Sequence, residues 1–317
     1  MATSASLERR REGRSARASG RRPAARGRAA LAALPFLSPW VAGVACLVAI
    51  PLGLSLYWSF TNYNLLTPPH WVGLANYRSL FHDPLFWLSV RNTVYITVVG
   101  GIAGICMGLG SALLLNKPGK AVTFYRSAIF IPAVVPVVSM VIAWVWILNP
   151  DYGLLNGVLH LLHLPTFGWL DDPSTAKISL LMIILWGSVG QIMIVFLAAL
   201  KAIPQDYYDA AAVDGASAWS QFRRLTLPLL SPVLLYNVVI ALVFYTQMFE
   251  QAFVASPLDL GAPVNSTLFY SLYLYQNAFT YLSMGRAAAM ACLLLVFSLL
   301  AVAGFFALHR RYGHSGD

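Results

Sequence analysis

Six apolar stretches joined by polar connections predict an all-α integral membrane protein with six transmembrane helices. Three observations carry that prediction. Hydrophobic residues make up 58% of the 317 and charged residues only 10%, against about 25% charged in a soluble domain. Segments near 34–60, 92–116, 127–149, 178–200, 227–249 and 287–309 each exceed the roughly 20 residues that cross a bilayer. All six are free of Asp, Glu, Lys and Arg. None alternates apolar and polar residues as barrel strands do, so each must close its backbone hydrogen bonds internally, as a helix.

The first 32 residues, rich in Arg, Ala, Ser and Gly, are expected to form a disordered basic tail. The apolar stretch that follows is too long for a secretory h-region and reads as a retained anchor. Nine of the 21 Lys and Arg residues lie in the first 28 positions. The net charge of +9 therefore suits anionic lipid rather than nucleic acid, since no basic stripe with interleaved aromatics occurs elsewhere. Across the six helices, 17 basic residues fall on one side. Only Arg78, Arg91, Lys177 and Arg286 fall on the other. By the positive-inside rule both termini and the connection 201–226 are expected in the cytoplasm. The transmembrane domain is then 33–310, with 311–317 a cytoplasmic C-terminus.

In the second helix Gly100, Gly104 and Gly108 fall four apart, a face suited to close helix packing. Pro132 and Pro136 are expected to kink the third helix, and Pro232 the fifth. No interrupted helix is legible beyond those kinks. Cys46, Cys106 and Cys292 sit in apolar segments without metal-ligand spacing. His160 and His163 lie in a loop without further ligands, so no metal site is expected.

Intramembrane polar residues are expensive unless they line a cavity or find partners. The fourth helix carries Trp186 and Gln191. The fifth carries Asn237, Tyr245, Gln247, Glu250 and Gln251. Gln247 stands three residues from Glu250 and four from Gln251, which puts them on one face of a continuing helix. Amides, a carboxylate and aromatic rings meet the needs of a sugar. Two readings of Glu250 stand: a path-lining carboxylate, or a solvated residue at the outer boundary.

The most informative segment is the polar island DAAAVDGASAWSQFRRLTLPLLSP, Asp209 to Pro232. Pro204 suits a first helical turn. A helix can run through Asp209, Ala210 and Ala211. Asp214 and Gly215 supply a C-terminal cap with Gly left-handed. Ser217 can cap a second helix that presents Trp219 and Phe222 three apart on one face. Such a surface suits docking onto a soluble partner, although an amphipathic loop lying on the bilayer would also place Trp219, Arg223 and Arg224.

The island resembles the EAA loop of binding-protein-dependent ABC importer permeases. That pattern is E-A-A, three residues, G, nine residues, I-x-L-P. Here Asp209-Ala210-Ala211, Gly215 and Leu225-Thr226-Leu227-Pro228 keep the spacing, with Asp for Glu and Leu for Ile. Trp71–Tyr77, Arg91-Asn92-Thr93, Ala143-Trp144, Gly153–Asn156, Asn265-Ser266-Thr267 and Met284–Ala288 are similar to the maltose-type carbohydrate branch. The resemblance implies type I importer architecture and a coupling helix over roughly 205–220, seated in a nucleotide-binding subunit. Asp209 would pair with a basic residue there, Ala210 and Ala211 would allow close approach, and Gly215 would make the turn. It also implies a second homologous permease subunit, two ATPase subunits, an extracytoplasmic solute-binding protein and a sugar substrate.

No G-x-x-x-x-G-K-[ST] sequence is present; Gly119-Lys120 is followed by Ala121. ATP and Mg are therefore expected on the partner ATPase and no cofactor on this chain, which reads as a transport subunit and not an enzyme. Glycerol phosphate or a polyol is a rival substrate. An ion-coupled secondary transporter is the rival of another class, and it would need paired buried ionisable groups or broken helices in repeated halves.

Overall fold

A computed structural model describes residues 37–256 and 259–312, with side chains to residue 307. The basic tail expected over 1–32 lies outside the described residues, as do positions 313–317 of the C-terminal segment. The chain divides into two units, one ending at Tyr57 and one beginning at Trp58. The first contains most of α1 (Leu37–Ser59), an apolar rod of 23 residues. A wider turn interrupts it at Ala45–Ala49.

The second unit is helical throughout; its described residues hold no strand, only an isolated bridge between Thr61 and Trp71. Short α2 (Ala75–Phe81) leads into α3 (Pro84–Leu114). This 31-residue helix starts eight residues before the span read from hydropathy. Its start is fixed by local chemistry: Asp83 accepts a hydrogen bond from the Leu85 N–H at 2.9 Å, and Pro84 opens the first turn. At its other end the Leu115 carbonyl accepts from Arg126 Nε and Nη2. A cation here also complements the helix dipole.

The third span departs from expectation. It is not one kinked helix but a broken pair bent by 102°. The first arm is α4 (Lys120–Phe130), prolonged by a tight turn at Ile131–Val134; the second is α5 (Val137–Ile147). Pro136 forbids its predecessor the helical region, and Val135 is extended at φ −72°, ψ 130°. Pro136 lacks a donor and is extended too. Two consecutive extended residues make a corner where one would make a kink.

After α6 (Leu154–Leu161) comes α7 (Ala176–Ala202), the most buried of the spans. It lies against α3 as the glycine row anticipates. A Cβ at Gly108 would stand 2.4 Å from Ile192 Cγ2, and one at Gly100 3.1 Å from Leu181 Cδ1 and 2.5 Å from the ring of Tyr245 in the fifth span. The corner of the third span rests on α7 at Gly190, where a Cβ would fall 2.4 Å from the Ile129 carbonyl oxygen.

The fifth span is also broken. Helix α8 (Gln205–Val213) and α9 (Ala218–Leu229) precede α10 (Ser231–Thr246), which meets α9 at 66°. The interruption is at Leu230, just ahead of Pro232. Helix α10 stops at Thr246, and α11 (Glu250–Ala255) is separate. After α12 (Tyr270–Tyr275), α13 (Met284–Tyr312) is the last span. Among the described residues four helices are long and apolar enough to cross a membrane, and up to six spans result when each bent pair counts as one.

Candidate functional site

The motifs that carry the outer-loop resemblance hold the unit together at the end opposite α8. Buried Asn92 donates through Nδ2 to the carbonyls of Asn265 and Leu268, both at 3.0 Å, and Thr93 Oγ1 accepts from the Tyr270 N–H at 2.8 Å. Asn76 Nδ2 donates to the carbonyls of Ser59 and Thr61, both at 2.8 Å. Gly285 packs so close that a Cβ would meet the Thr61 oxygen at 2.1 Å. Asn156 bridges the carbonyls of Pro150 and Phe167 and accepts from Trp169 Nε1 at 2.7 Å. Asn76, Asn92, Thr93 and Asn156 therefore bond backbone groups at helix ends and in connections.

Asp83 joins three elements there. It accepts from Arg286 Nη2 at 2.6 Å and from the Tyr273 hydroxyl. Burial alone would raise the Asp83 carboxyl; the bonds from Tyr273, Leu85 N–H and Arg286, with the Arg286 charge, outweigh it and hold the group below its ordinary range. Burial, reinforced by the bond to Asp83, pushes the Tyr273 hydroxyl up to about 12, so it stays a donor.

The polar island forms the protruding end. Helix α8 begins at Gln205, one residue after Pro204, and ends at Val213 with Asp214 as its C-cap. Gly215 adopts φ +75°. Its N–H donates to the Ala212 carbonyl at 3.0 Å, and the Ala216 N–H to Ala211 at 2.9 Å. These are the two bonds of a Schellman cap. Ser217 then caps α9, accepting from the Ser220 N–H at 3.3 Å. The coupling helix implied over 205–220 is therefore two helices hinged at Gly215.

Around that hinge Asp209, Ala210, Asp214, Gly215 and Trp219 are exposed, and Ala211 and Phe222 are half-buried. Asp209 accepts from Gln205 Nε2 at 3.2 Å and makes no ion pair among the described residues. The Trp219 and Phe222 rings lie 5.5 Å apart. Val213 is 89% exposed and Trp219 68%. Two large apolar side chains projecting on either side of a turn, with alanines between, leave a surface that a knob-accepting cleft would bury. Tyr208 ties α8 to α9 through a 3.1 Å hydroxyl contact with Thr226. Sequence reading did not single out either residue or Val213. The only available signal was a polar Thr inside the Leu-x-Leu-Pro exit.

The second candidate region is a cavity of about 210 Å³ between the broken third span, α7 and α10. Gln191, Asn237, Tyr245 and Gln251 all line it, together with Ser188 and Pro132. Asn237 Nδ2 is engaged by the Val233 carbonyl at 2.9 Å. The Tyr245 and Ser188 hydroxyls are buried without a hydrogen bond of normal geometry. Ser188 was missed, because a single Ser in an apolar helix carries no distinguishing pattern.

Three expected path residues are elsewhere. Trp186 stacks edge-on against Trp144 at 5.7 Å and is 45% exposed. Gln247 caps the end of α10, and Glu250 opens α11; both are exposed and neither lines the cavity. The single face proposed for Gln247, Glu250 and Gln251 fails because the helix ends at Thr246. The turn after it sends only Gln251 inward.

The family description "Binding-protein-dependent transport system inner membrane component" matches residues 101–314. The chain belongs to that family. It is an inner-membrane transport subunit, multi-pass and non-enzymatic, of a system whose ATPase is a separate subunit. The permease is 37% identical over 273 residues to the probable ABC transporter permease protein YesP of Bacillus subtilis, covering 84% of this chain and 86% of that one. It is 32% identical to the lactose transport system permease protein LacF of Rhizobium radiobacter, covering 87% and 93%. A subunit of a bacterial alginate ABC transporter, crystallised with an alginate pentasaccharide-bound periplasmic protein, shares the permease fold. Its TM-score is 0.78 at 22% identity, over 89% of this chain and 95% of that chain.

Proposed function

We propose that this permease forms half of the pathway of an ATP-driven importer for a sugar or oligosaccharide. The observation that carries the reading is the cavity beside the two broken spans. It offers the side-chain amides of Gln191, Gln251 and Asn237. That is hydrogen-bonding capacity without charge, which a neutral polyhydroxylated guest uses. At about 210 Å³ it falls below the roughly 300 Å³ at which small-ligand sites begin. A second homologous permease subunit completes the site.

The remaining assembly follows from the resemblance. Two ATPase subunits bind ATP and Mg and receive α8 and the start of α9, with Asp209 paired to a basic residue of the cleft. An extracytoplasmic binding protein delivers the sugar at the end where Asp83, Asn92 and Asn156 lie. Both termini and the Gly215 hinge are cytoplasmic. Closure of the ATPases moves the hinge and favours the inward-open state, which requires that they bind that loop differently in the two states.

A phosphorylated substrate such as glycerol phosphate is disfavoured, because no cation lines the cavity. An ion-coupled mechanism gains broken helices from the structure, yet no carboxylate or cation lines the cavity beside them, and it leaves the exposed loop without a role. The test is uptake of radiolabelled oligosaccharides into proteoliposomes holding the full complex. Gln251→Ala with Asn237→Ala should lower uptake at least tenfold with assembly intact. Unchanged uptake would remove the cavity from the pathway.

A further inference from the structure

Two cations on neighbouring helices adjoin the same ring, Tyr95, and neither is paired with an acid. Arg91 is on α3 and Lys177 at the start of α7. Lys177 Nζ sits 5.7 Å from the centroid of the Tyr95 ring, one turn beyond Arg91. Among the described residues neither has a carboxylate partner. Of the acids near them in sequence, Asp83 pairs with Arg286, Asp172 accepts from Ser174 at 2.7 and 2.8 Å, and exposed Asp171 makes no ion pair with either cation. Lys177 also occupies a helix first turn, where the backbone dipole disfavours a cation. A like-charged pair in this setting is stabilised by an anion that binds between its members.

Along α3 runs an apolar groove of about 340 Å³, lined by Trp87, Val94 and Val98 of α3 and by Leu242, Leu294 and Phe297, with neither cation in its wall. Trp87, Arg91, Val94 and Val98 are spaced four, three and four residues apart, so Arg91 belongs to the same stripe as the groove wall. At 31 residues α3 is about 46 Å long, against a hydrocarbon core of about 30 Å. Its first turns therefore stand at the interface, where a half-exposed Trp87 belongs. Arg91, one turn deeper, reaches the headgroup level by extending its side chain.

We propose that Arg91 and Lys177 hold the phosphate of an anionic phospholipid, whose acyl chain occupies the groove. This site is independent of the sugar reading and of the cavity at Gln251.

Trp87 reports on it directly. In the full complex, phosphatidylglycerol brominated on its acyl chains should quench Trp87 emission at roughly tenfold lower mole fraction than phosphatidylcholine brominated alike. Trp87→Phe supplies the background. Arg91→Gln and Lys177→Gln should each raise the phosphatidylglycerol midpoint roughly fivefold, and together abolish the preference. Arg91→Lys should retain most of it. Val98→Phe, which fills the groove, should weaken quenching by both lipids. Inorganic phosphate at millimolar concentration should not compete; full competition would mean a small-anion site and overturn the lipid. An undiminished preference in the single charge variants would overturn the proposal, and they suffice if the double variant fails to assemble.

Discussion

Replacing Gly215 isolates the contribution of the hinge. Nothing lies within 4 Å of where its Cβ would be, so an alanine methyl meets no clash there. The effect of Gly215→Ala is therefore conformational: holding an L-residue at φ +75° costs about 1–2 kcal/mol. That is a five- to thirtyfold loss in the population of the native turn. Proline cannot follow. Its ring fixes φ near −65°, about 140° from the observed value. It also deletes the N–H that donates to Ala212, worth about another 1 kcal/mol. The turn must then be rebuilt, and α9 leaves α8 in another direction. The assay is retention of the ATPase subunits on the detergent-solubilised permease pair, together with ATP-dependent uptake. Gly215→Ala should reduce both, Gly215→Asn less so because Asn tolerates the left-handed region, and Gly215→Pro should abolish uptake while membrane insertion stays normal. Wild-type uptake by the proline variant would refute the role assigned to the hinge. So would equal losses for alanine and asparagine, since backbone conformation would then not be the cause.

Three further outcomes are expected. Asp83→Asn removes the charge from bonds with Arg286 and Tyr273 and should destabilise the protein by about 2 kcal/mol, read as a lower unfolding midpoint in detergent. Because the folded Asp83 carboxyl lies below its ordinary value, its stabilisation is complete above the usual carboxylate range and fades as pH falls through and below it. The wild type should lose its advantage over Asp83→Asn on acidification. Gly108→Leu drives a side chain into Ile192 and should cost at least 1–3 kcal/mol, seen as reduced membrane yield and thermal stability, with Gly110→Leu, where nothing lies within 4 Å, as the tolerated control. Glu250→Ala and Trp186→Phe should leave uptake within twofold of wild type, in contrast to the cavity residues; a tenfold loss for either would return it to the pathway.

The outer motifs show what a resemblance conveys and what it omits. Asn92, Asn76, Asn156 and Gly285 could be picked out as matching a pattern, but their work is to bond or approach backbone far along the chain. Asn92 reaches carbonyls 173 and 176 residues away. No local signal encodes that distance. The island was legible in detail because its interactions are local: a Schellman cap, a serine N-cap and an aromatic pair three residues apart each close within a few residues.

By itself the sequence determined the membrane class, the approximate spans, the charge asymmetry, the close face at Gly100–Gly108 and the two helices about Gly215. Each follows from composition or from contacts within a turn or two. Tertiary structure decided where helices break and which polar side chains converge. Pro132 and Pro136 permit a kink or a corner. The 102° corner is realised where Gly190 lets the Ile129 backbone come close. The end of α10 at Thr246 turned Gln251 inward and left Gln247 and Glu250 exposed. Helical periodicity continues a pattern past any residue that tolerates it, whereas the cavity exists only because three separate spans enclose it.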